Sequence, residues 1–315
     1  EAVKCFRAIS IEFYNERNDA KMRYVMARFS ADRLVSITIN WYCPEHVFDV
    51  ETMKQMLAKF RNLRRFSLVC QFLFHKTKCP MDEALMSLCH GTNNGTLEKL
   101  TLQNCQLEDP VGTMERVFHC NSRMKVIRVI RATSPVDDNN IDDNNDAKKQ
   151  KLAALSSHLS KMSNLYRLEM DGEGMSFHAF NYTLLLPGLD ALKHLALRNP
   201  NEEALKCVAR YCTNLESLLI CGSDCDEHDT VNPRFSLYGL LAVLRSCPLQ
   251  SLSLPPIISN IMSGEDIVEL CEANRTLSEI VLLTSLFVET DDEWQEETVL
   301  IAYKASRGRV RLCWL

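Results

Sequence analysis

One apolar residue, two unconstrained positions, a second apolar residue, one unconstrained position and a third apolar residue recur along the chain about every thirty residues. The copies read Phe6-Ile9-Ile11, Leu34-Ile37-Ile39, Leu63-Phe66-Leu68, Leu97-Leu100-Leu102, Met124-Ile127-Val129, Leu165-Leu168-Met170, Leu192-Leu195-Leu197, Leu215-Leu218-Ile220, Leu249-Leu252-Leu254 and Leu277-Ile280-Leu282. An eleventh, Val310-Leu312-Trp314, is irregular. The last three residues of each copy alternate apolar and free, which predicts a short strand with one buried face. A fixed period of this length predicts a solenoid rather than a closed globule.

Between the copies lie stretches with apolar residues spaced three and four apart, which predict amphipathic helices. They cover residues 19–29, 50–60, 81–89, 111–118, 148–162, 202–211, 237–245, 265–273 and 293–303. Strand followed by helix, repeated, predicts parallel strands on one side and helices on the other. A helix is wider than a strand, so the stack is expected to bend into a horseshoe with concave strands and convex helices. The expected fold is therefore an α/β solenoid of about 10–11 repeats, a single domain over residues 1–315.

One segment breaks the period. From Met124 to Leu165 the spacing is 41 residues, against 27 from Leu97 to Met124 and 27 from Leu165 to Leu192. The excess is residues 134–146, whose Asp137–Asp146 core is too polar to bury anything and is expected to be an acidic disordered insertion. Residues 222–234 form a second candidate loop. The closing Arg311-Leu312-Cys313-Trp314-Leu315 is apolar where a solenoid needs a polar cap, so a partner or further chain is expected over an end.

Apolar residues make up 46% of the chain and charged residues 24%, enough for a continuous core without a metal or covalent staple. The net charge of −5 argues against a nucleic-acid binder. No apolar run approaches the length of a membrane span, and the first residues lack a signal-peptide layout. Fourteen cysteines are scattered rather than gathered at the ends, which favours reduced thiols and an intracellular, cytoplasmic or nuclear location. Three sequons, at Asn94, Asn181 and Asn274, point the other way, toward an extracellular receptor ectodomain.

The unconstrained strand positions should face the concave side. They place Arg65, Lys99, Arg128, Arg167, His194 and Arg198 in a basic stripe over repeats three to seven, interrupted by Glu169 and Asp171. Arginine there suits bidentate pairing with a partner's carboxylates. Further along, Leu219, Cys221, Pro255, Val281 and Leu283 form an apolar strip at solvent-facing positions. A protein partner offering an acidic segment to the first region and a hydrophobic anchor to the second would fit both.

Two groups have loose metal-ligand spacing, Cys70-His75-Cys79 and Cys221-Cys225-His228, but neither has the paired spacing of a zinc finger, so no metal is assigned. There is no phosphate-binding glycine loop, no nucleophile elbow and no zinc-protease helix motif. Neither catalysis nor a cofactor is expected.

The run Leu97-Glu98-Lys99-Leu100-Thr101-Leu102-Gln103-Asn104-Cys105-Gln106-Leu107 resembles the leucine-rich-repeat signature L-x-x-L-x-L-x-x-N/C-x-L in full. Tyr211-Cys212-Thr213-Asn214-Leu215 resembles the Cys-containing subtype, in which a cysteine closes each helix, and Cys120, Cys247 and Cys271 stand in similar places. The resemblance implies a ribonuclease-inhibitor-like fold and protein recognition through the concave face. That subtype is familiar in F-box proteins, the substrate receptors of cullin-RING ubiquitin ligases; the five residues before Phe6 are too few for an F-box helix bundle, so a ligase adaptor is expected to bind only through a region outside this chain. A scaffold or inhibitor subunit of a regulatory complex is the alternative. The Asn/Cys turn position is degenerate, with Tyr42, Gln71, Ala132, Glu173, Pro200 and Ser223 in other copies.

Overall fold

In the computed structural model, residues 7–14, 18–42, 49–60, 62–70, 81–89, 95–132, 146–172, 185–198, 200–221, 235–255, 262–282 and 292–314 are described. The strands are β1 (Ala8–Phe13), β2 (Ser36–Trp41), β3 (Arg65–Cys70), β4 (Lys99–Gln103), β5 (Val126–Ala132), β6 (Arg167–Gly172), β7 (His194–Arg198), β8 (Ser217–Cys221), β9 (Ser251–Leu254), β10 (Glu279–Leu282) and β11 (Arg311–Trp314). They form one sheet in strict chain order. Pairing is parallel, and the cadence residues stand opposite one another: Ile37 faces Phe66, Phe66 faces Leu100, and Leu100 faces Ile127. The irregular eleventh copy is in register too, with Leu312 opposite Ile280. The chain is an α/β solenoid of the leucine-rich-repeat type.

Among the described residues the helices are α1 (Asn18–Arg28), α2 (Val50–Lys59), α3 (Asp82–Met86), α4 (Pro110–Cys120), α5 (Asp146–Leu159), α6 (Glu202–Tyr211), α7 (Leu237–Ser246), α8 (Gly264–Ala273) and α9 (Asp292–Ala305). Their starts are chemically marked. Asp49, Asp109, Asn201, Ser236 and Ser263 each accept a bond from a backbone N–H in the first turn, which satisfies a donor the helix cannot. A Cβ at Gly112 would crowd the Asp109 carboxylate that caps this helix. The one shortened helix is α3, expected over 81–89. Its last turn tightens, with Ser87, Leu88 and Cys89 N–H groups bonding to Ala84, Leu85 and Met86 carbonyls three residues back.

The described residues divide into two compact units, 1–165 with 169–181 and 166–168 with 182–315. The acidic insertion lies outside the described residues except for Asp146, which opens α5. In the first unit the strand residues Ile37, Ile39, Phe66, Leu68, Leu100, Leu102, Ile127 and Val129 are at most 1% exposed. They pack beside Met53, Met56 and Leu57 of α2 and Met114, Val117 and Phe118 of α4, all equally buried. In the second unit the same layers repeat with Leu218, Leu252 and Ile280 against Leu205, Val208, Val243 and Leu270. Each such side chain contributes about 1.5–3 kcal/mol by leaving water, so the periodic leucines supply most of the driving force.

Most of the described strands are tied laterally at their N-terminal ends. At the N-terminal end one carbonyl accepts from two successive N–H groups of the next repeat: Arg7 from Val35 and Ser36, Val35 from Arg64 and Arg65, Arg64 from Glu98 and Lys99, Glu98 from Lys125 and Val126. The second unit does the same from Tyr166, Lys193, Glu216 and Gln250. Side-chain amides reinforce this corner. Asn121 Oδ1 accepts from Leu97 N at 3.3 Å, and Asn274 Nδ2 donates to Leu244 and Cys247 carbonyls at 2.7 Å each. The polar ladder that is degenerate at the strand's far end is thus rebuilt at the helix-to-strand corner. Where the far-end signature is intact, Cys105 is fully buried, and Asn104 before it adopts φ 54° with Nδ2 donating to Cys70 O at 2.6 Å.

Cys212, Cys247 and Cys271 are buried at the corner, and burial pushes their thiols up to about 12, about 12 and about 11. Cys120 is half-buried. The ten cysteines in described segments are all free thiols. Among the described residues no helix is long and apolar enough to cross a membrane.

Candidate functional site: the strand face and an arginine groove

The alternation that buries the leucines turns the other strand positions outward. Arg65 and Lys99 are exposed and stand opposite each other on β3 and β4. Strand partners lie about 4.8 Å apart, so two cations sit side by side. Around them Ala8, Ser10 and Glu12 of β1 are exposed, and Ser36, Thr38 and Ser67 are half-buried.

The rest of the expected stripe is not uniform. Arg128 donates from Nε to Glu169 Oε2 at 2.6 Å, so its charge is matched inside the chain. Arg167 and His194 are half-buried, and the His194 ring meets Tyr166 edge-on with centroids 6.4 Å apart. Arg198 ends β7 opposite Cys221. Leu219 is half-buried between Ala196 and Ser253 in register.

The apolar strip differs from the expectation. Val281, read as solvent-facing, is 7% exposed, and Pro255 is buried. Val281 has Ser253 on one side and Cys313 on the other, and flanking strands shield a short branched side chain that a longer one would overreach. Leu283 lies outside the described residues.

The larger feature was not anticipated. A groove of about 1170 Å³ runs along the N-terminal ends of β1 to β4, within the first unit. Arg7, Arg33, Arg64, Arg65 and Arg123 line it, against the acids Asp32 and Glu98. All five arginines are exposed. Arg64 approaches Glu98 at 3.5 Å, and Glu98 is shared with Lys125 at 3.1 Å. Arg7, Arg65 and Arg123 form no ion pair among the described residues. The backbone ladder at these strand ends holds residues 7, 35, 64 and 98 in succession, which is why arginines far apart in sequence converge.

A signal for this groove was present. Arg33 and Arg123 each precede the first cadence residue, Leu34 or Met124, and Arg7 and Arg64 each follow it, after Phe6 and Leu63. Considering only the alternating strand positions passed over both columns.

Other clusters have structural explanations. A hollow of about 560 Å³ on the helix side holds Asp82, whose carboxylate accepts from Glu108 N, Asp109 N and Thr113 Oγ1 and so anchors the start of α4. Tyr14 stacks on Tyr42 at 4.7 Å, and its bond to the Glu12 carboxylate raises its hydroxyl to about 12. Cys70, buried beside Cys105, has its thiol held well above the ordinary value by that neighbour and by burial. No group of three metal-ligating side chains occurs among the described residues, and His75, Cys79, Cys225 and His228 lie outside them.

No protein-family model matches the chain, and no curated protein matches it. Among solved structures it is similar to the leucine-rich repeat-containing protein LegL7 from Legionella pneumophila, with a TM-score of 0.48 and 15% identity over 95% of this chain and 90% of that one. The fold assignment rests on the strand order and register described above.

Proposed function

We propose that the chain is a non-catalytic protein-recognition module and that a partner protein docks on the strand face of its first unit. The observation that carries this is the paired display of Arg65 and Lys99, exposed and in register, on a face whose neighbours are small or polar. Strands paired in register and tied at their N-terminal ends hold these Cα positions before any partner arrives, so binding costs little backbone ordering. Regular spacing of outward side chains suits a second polypeptide better than a small molecule.

The narrower reading is a substrate receptor of a cullin-RING ubiquitin ligase. It is supported by Cys212, Cys247 and Cys271 at the helix-to-strand corner, as in the Cys-containing repeats the sequence resembles. Recovery of a cullin adaptor with the full-length protein tests it; recovery of a stable complex without one favours a scaffold or inhibitor. An intracellular setting is supported by ten free thiols and by Asn274, a sequon residue only 5% exposed.

Affinity capture with wild type, Lys99→Glu and the helix-side control Lys161→Glu tests the docking face. Partners retained by Lys161→Glu and lost by Lys99→Glu are expected. Identical partners from all three proteins, each folded by circular dichroism, would refute the strand face as the docking site.

A further inference from the structure

The groove at the N-terminal strand ends borders the strand face, sharing Ala8, Ser36 and Arg65 with it, and its chemistry is more selective. Five exposed guanidinium groups gather against two carboxylates in a chain whose net charge is −5. Arginines spread at random over an acidic protein would find acidic neighbours. Here Arg7, Arg65 and Arg123 have none as ion-pair partners among the described residues. Holding unpaired like charges together raises the free energy of the empty groove, and an anionic ligand relieves that repulsion.

We propose that this groove binds an extended acidic segment of a partner polypeptide, its carboxylates paired with Arg7, Arg64, Arg65 and Arg123. This rests on the protein-recognition reading above and gives that partner its chemistry. The groove crosses from β1 to the turn before β5, four strand spacings, or about 19 Å. An extended chain rises about 3.3 Å per residue, so about six residues span it. The planar guanidinium fork accepts a carboxylate through two parallel bonds, which orients the segment as well as attracting it. The volume, about 1170 Å³, exceeds the usual range for small-molecule pockets.

Two alternatives share the charge but not the remaining chemistry. Single-stranded nucleic acid relies on aromatic platforms for its bases, and the groove is lined by no aromatic residue among those described. A phosphorylated segment would use the same guanidinium forks as a glutamate-rich one, so the two are separated by the probe.

The test is fluorescence anisotropy of the full chain with three labelled probes: a peptide with six consecutive glutamates, its counterpart with two phosphoserines, and a single-stranded oligothymidylate. The glutamate peptide is expected to bind, to weaken with added salt, and to weaken at least about tenfold in Arg7→Glu/Arg123→Glu, about 1.4 kcal/mol. Both positions are exposed, so thermal melting should be unchanged. Tighter binding of the phosphopeptide, lost in the same variant, supports the shared anion chemistry and names phosphate as the source. Equal peptide binding by wild type and the double variant overturns the proposal, as does preference for the oligonucleotide. If the double variant still captures every partner that Lys99→Glu loses, the groove proposal falls and the recognition module stands.

Discussion

Arg128 and Glu169, 41 residues apart, close an ion pair on the strand face of the first unit, with Nε 2.6 Å from Oε2. The glutamate side chain is 9% exposed and the arginine 35%, so the acid depends on the guanidinium more than the reverse. Two residues that the sequence sets down as one cation of a stripe and one interruption of it are a neutral unit.

Truncating Arg128→Ala deprives a mostly buried carboxylate of its cation and should destabilise the protein by about 1–2 kcal/mol, less than a fully buried pair would lose. Arg128→Leu/Glu169→Leu should recover most of that loss, because an apolar pair needs no compensation. Urea midpoints at constant m-value measure both. An unchanged midpoint in Arg128→Ala would show that Glu169 does not depend on Arg128.

Asn274, just after α8, joins the end of α7 to the turn before β10. Its Nδ2 donates to Leu244 and Cys247 carbonyls at 2.7 Å, and its Oδ1 accepts from Thr276 and Leu277 N–H groups at 2.8 and 3.1 Å. Asn274→Ala leaves buried backbone groups without partners and should cost about 2–3 kcal/mol. A glycan would replace one of the two N–H groups on Nδ2 and so remove at least one of the carbonyl bonds. Folded protein expressed through a secretory pathway is therefore expected to lack sugar at Asn274, read by peptide mass spectrometry.

The buried thiols should be silent until the chain unfolds. Cys212, Cys247 and Cys271 have pKa values raised by burial, so at pH 8 they stay protonated and out of reach of an aromatic disulfide reagent. Cys120, Cys221 and Cys313, half-buried, should react first. Because the folded values lie above the unfolded one near 9, this stabilisation is complete below about pH 9. It falls as pH rises toward the folded values. Prompt labelling of Cys212 in native protein, seen by mass spectrometry, would contradict the buried corner.

Histidine chemistry predicts an acid-side weakness where α4 meets α5. His158 packs edge-on against His119 with centroids 4.8 Å apart, and its pKa is lowered by burial and by His119, with Lys161 adding to this and Glu115 opposing it. A lowered folded value means the contribution is complete above the unfolded pKa near 6.5 and is lost as pH falls through the folded value. His158→Gln should flatten the loss of stability between about pH 7 and 5. Thermal melts across that window, unchanged in shape by the substitution, would exclude His158 as the source.

The hydrophobic period alone determined the repeat, the strand register and the start of nearly every helix. Leu100 and Leu252 had to be inward because alternation admits one buried face, and the structure adds Asp49, Asp109, Ser236 and Ser263 as caps close to where the apolar spacing placed the helix starts. Tertiary structure decided what lies beside what. The pairing of Arg128 with Glu169, the burial of Val281 and the gathering of Arg7, Arg64 and Arg123 depend on side chains from different repeats meeting across about 4.8 Å. Periodicity tells each residue which way to face. Only the stacked repeats set its neighbours, because lateral distance depends on how intervening helices and turns close each repeat, and on how far a long side chain reaches once they do.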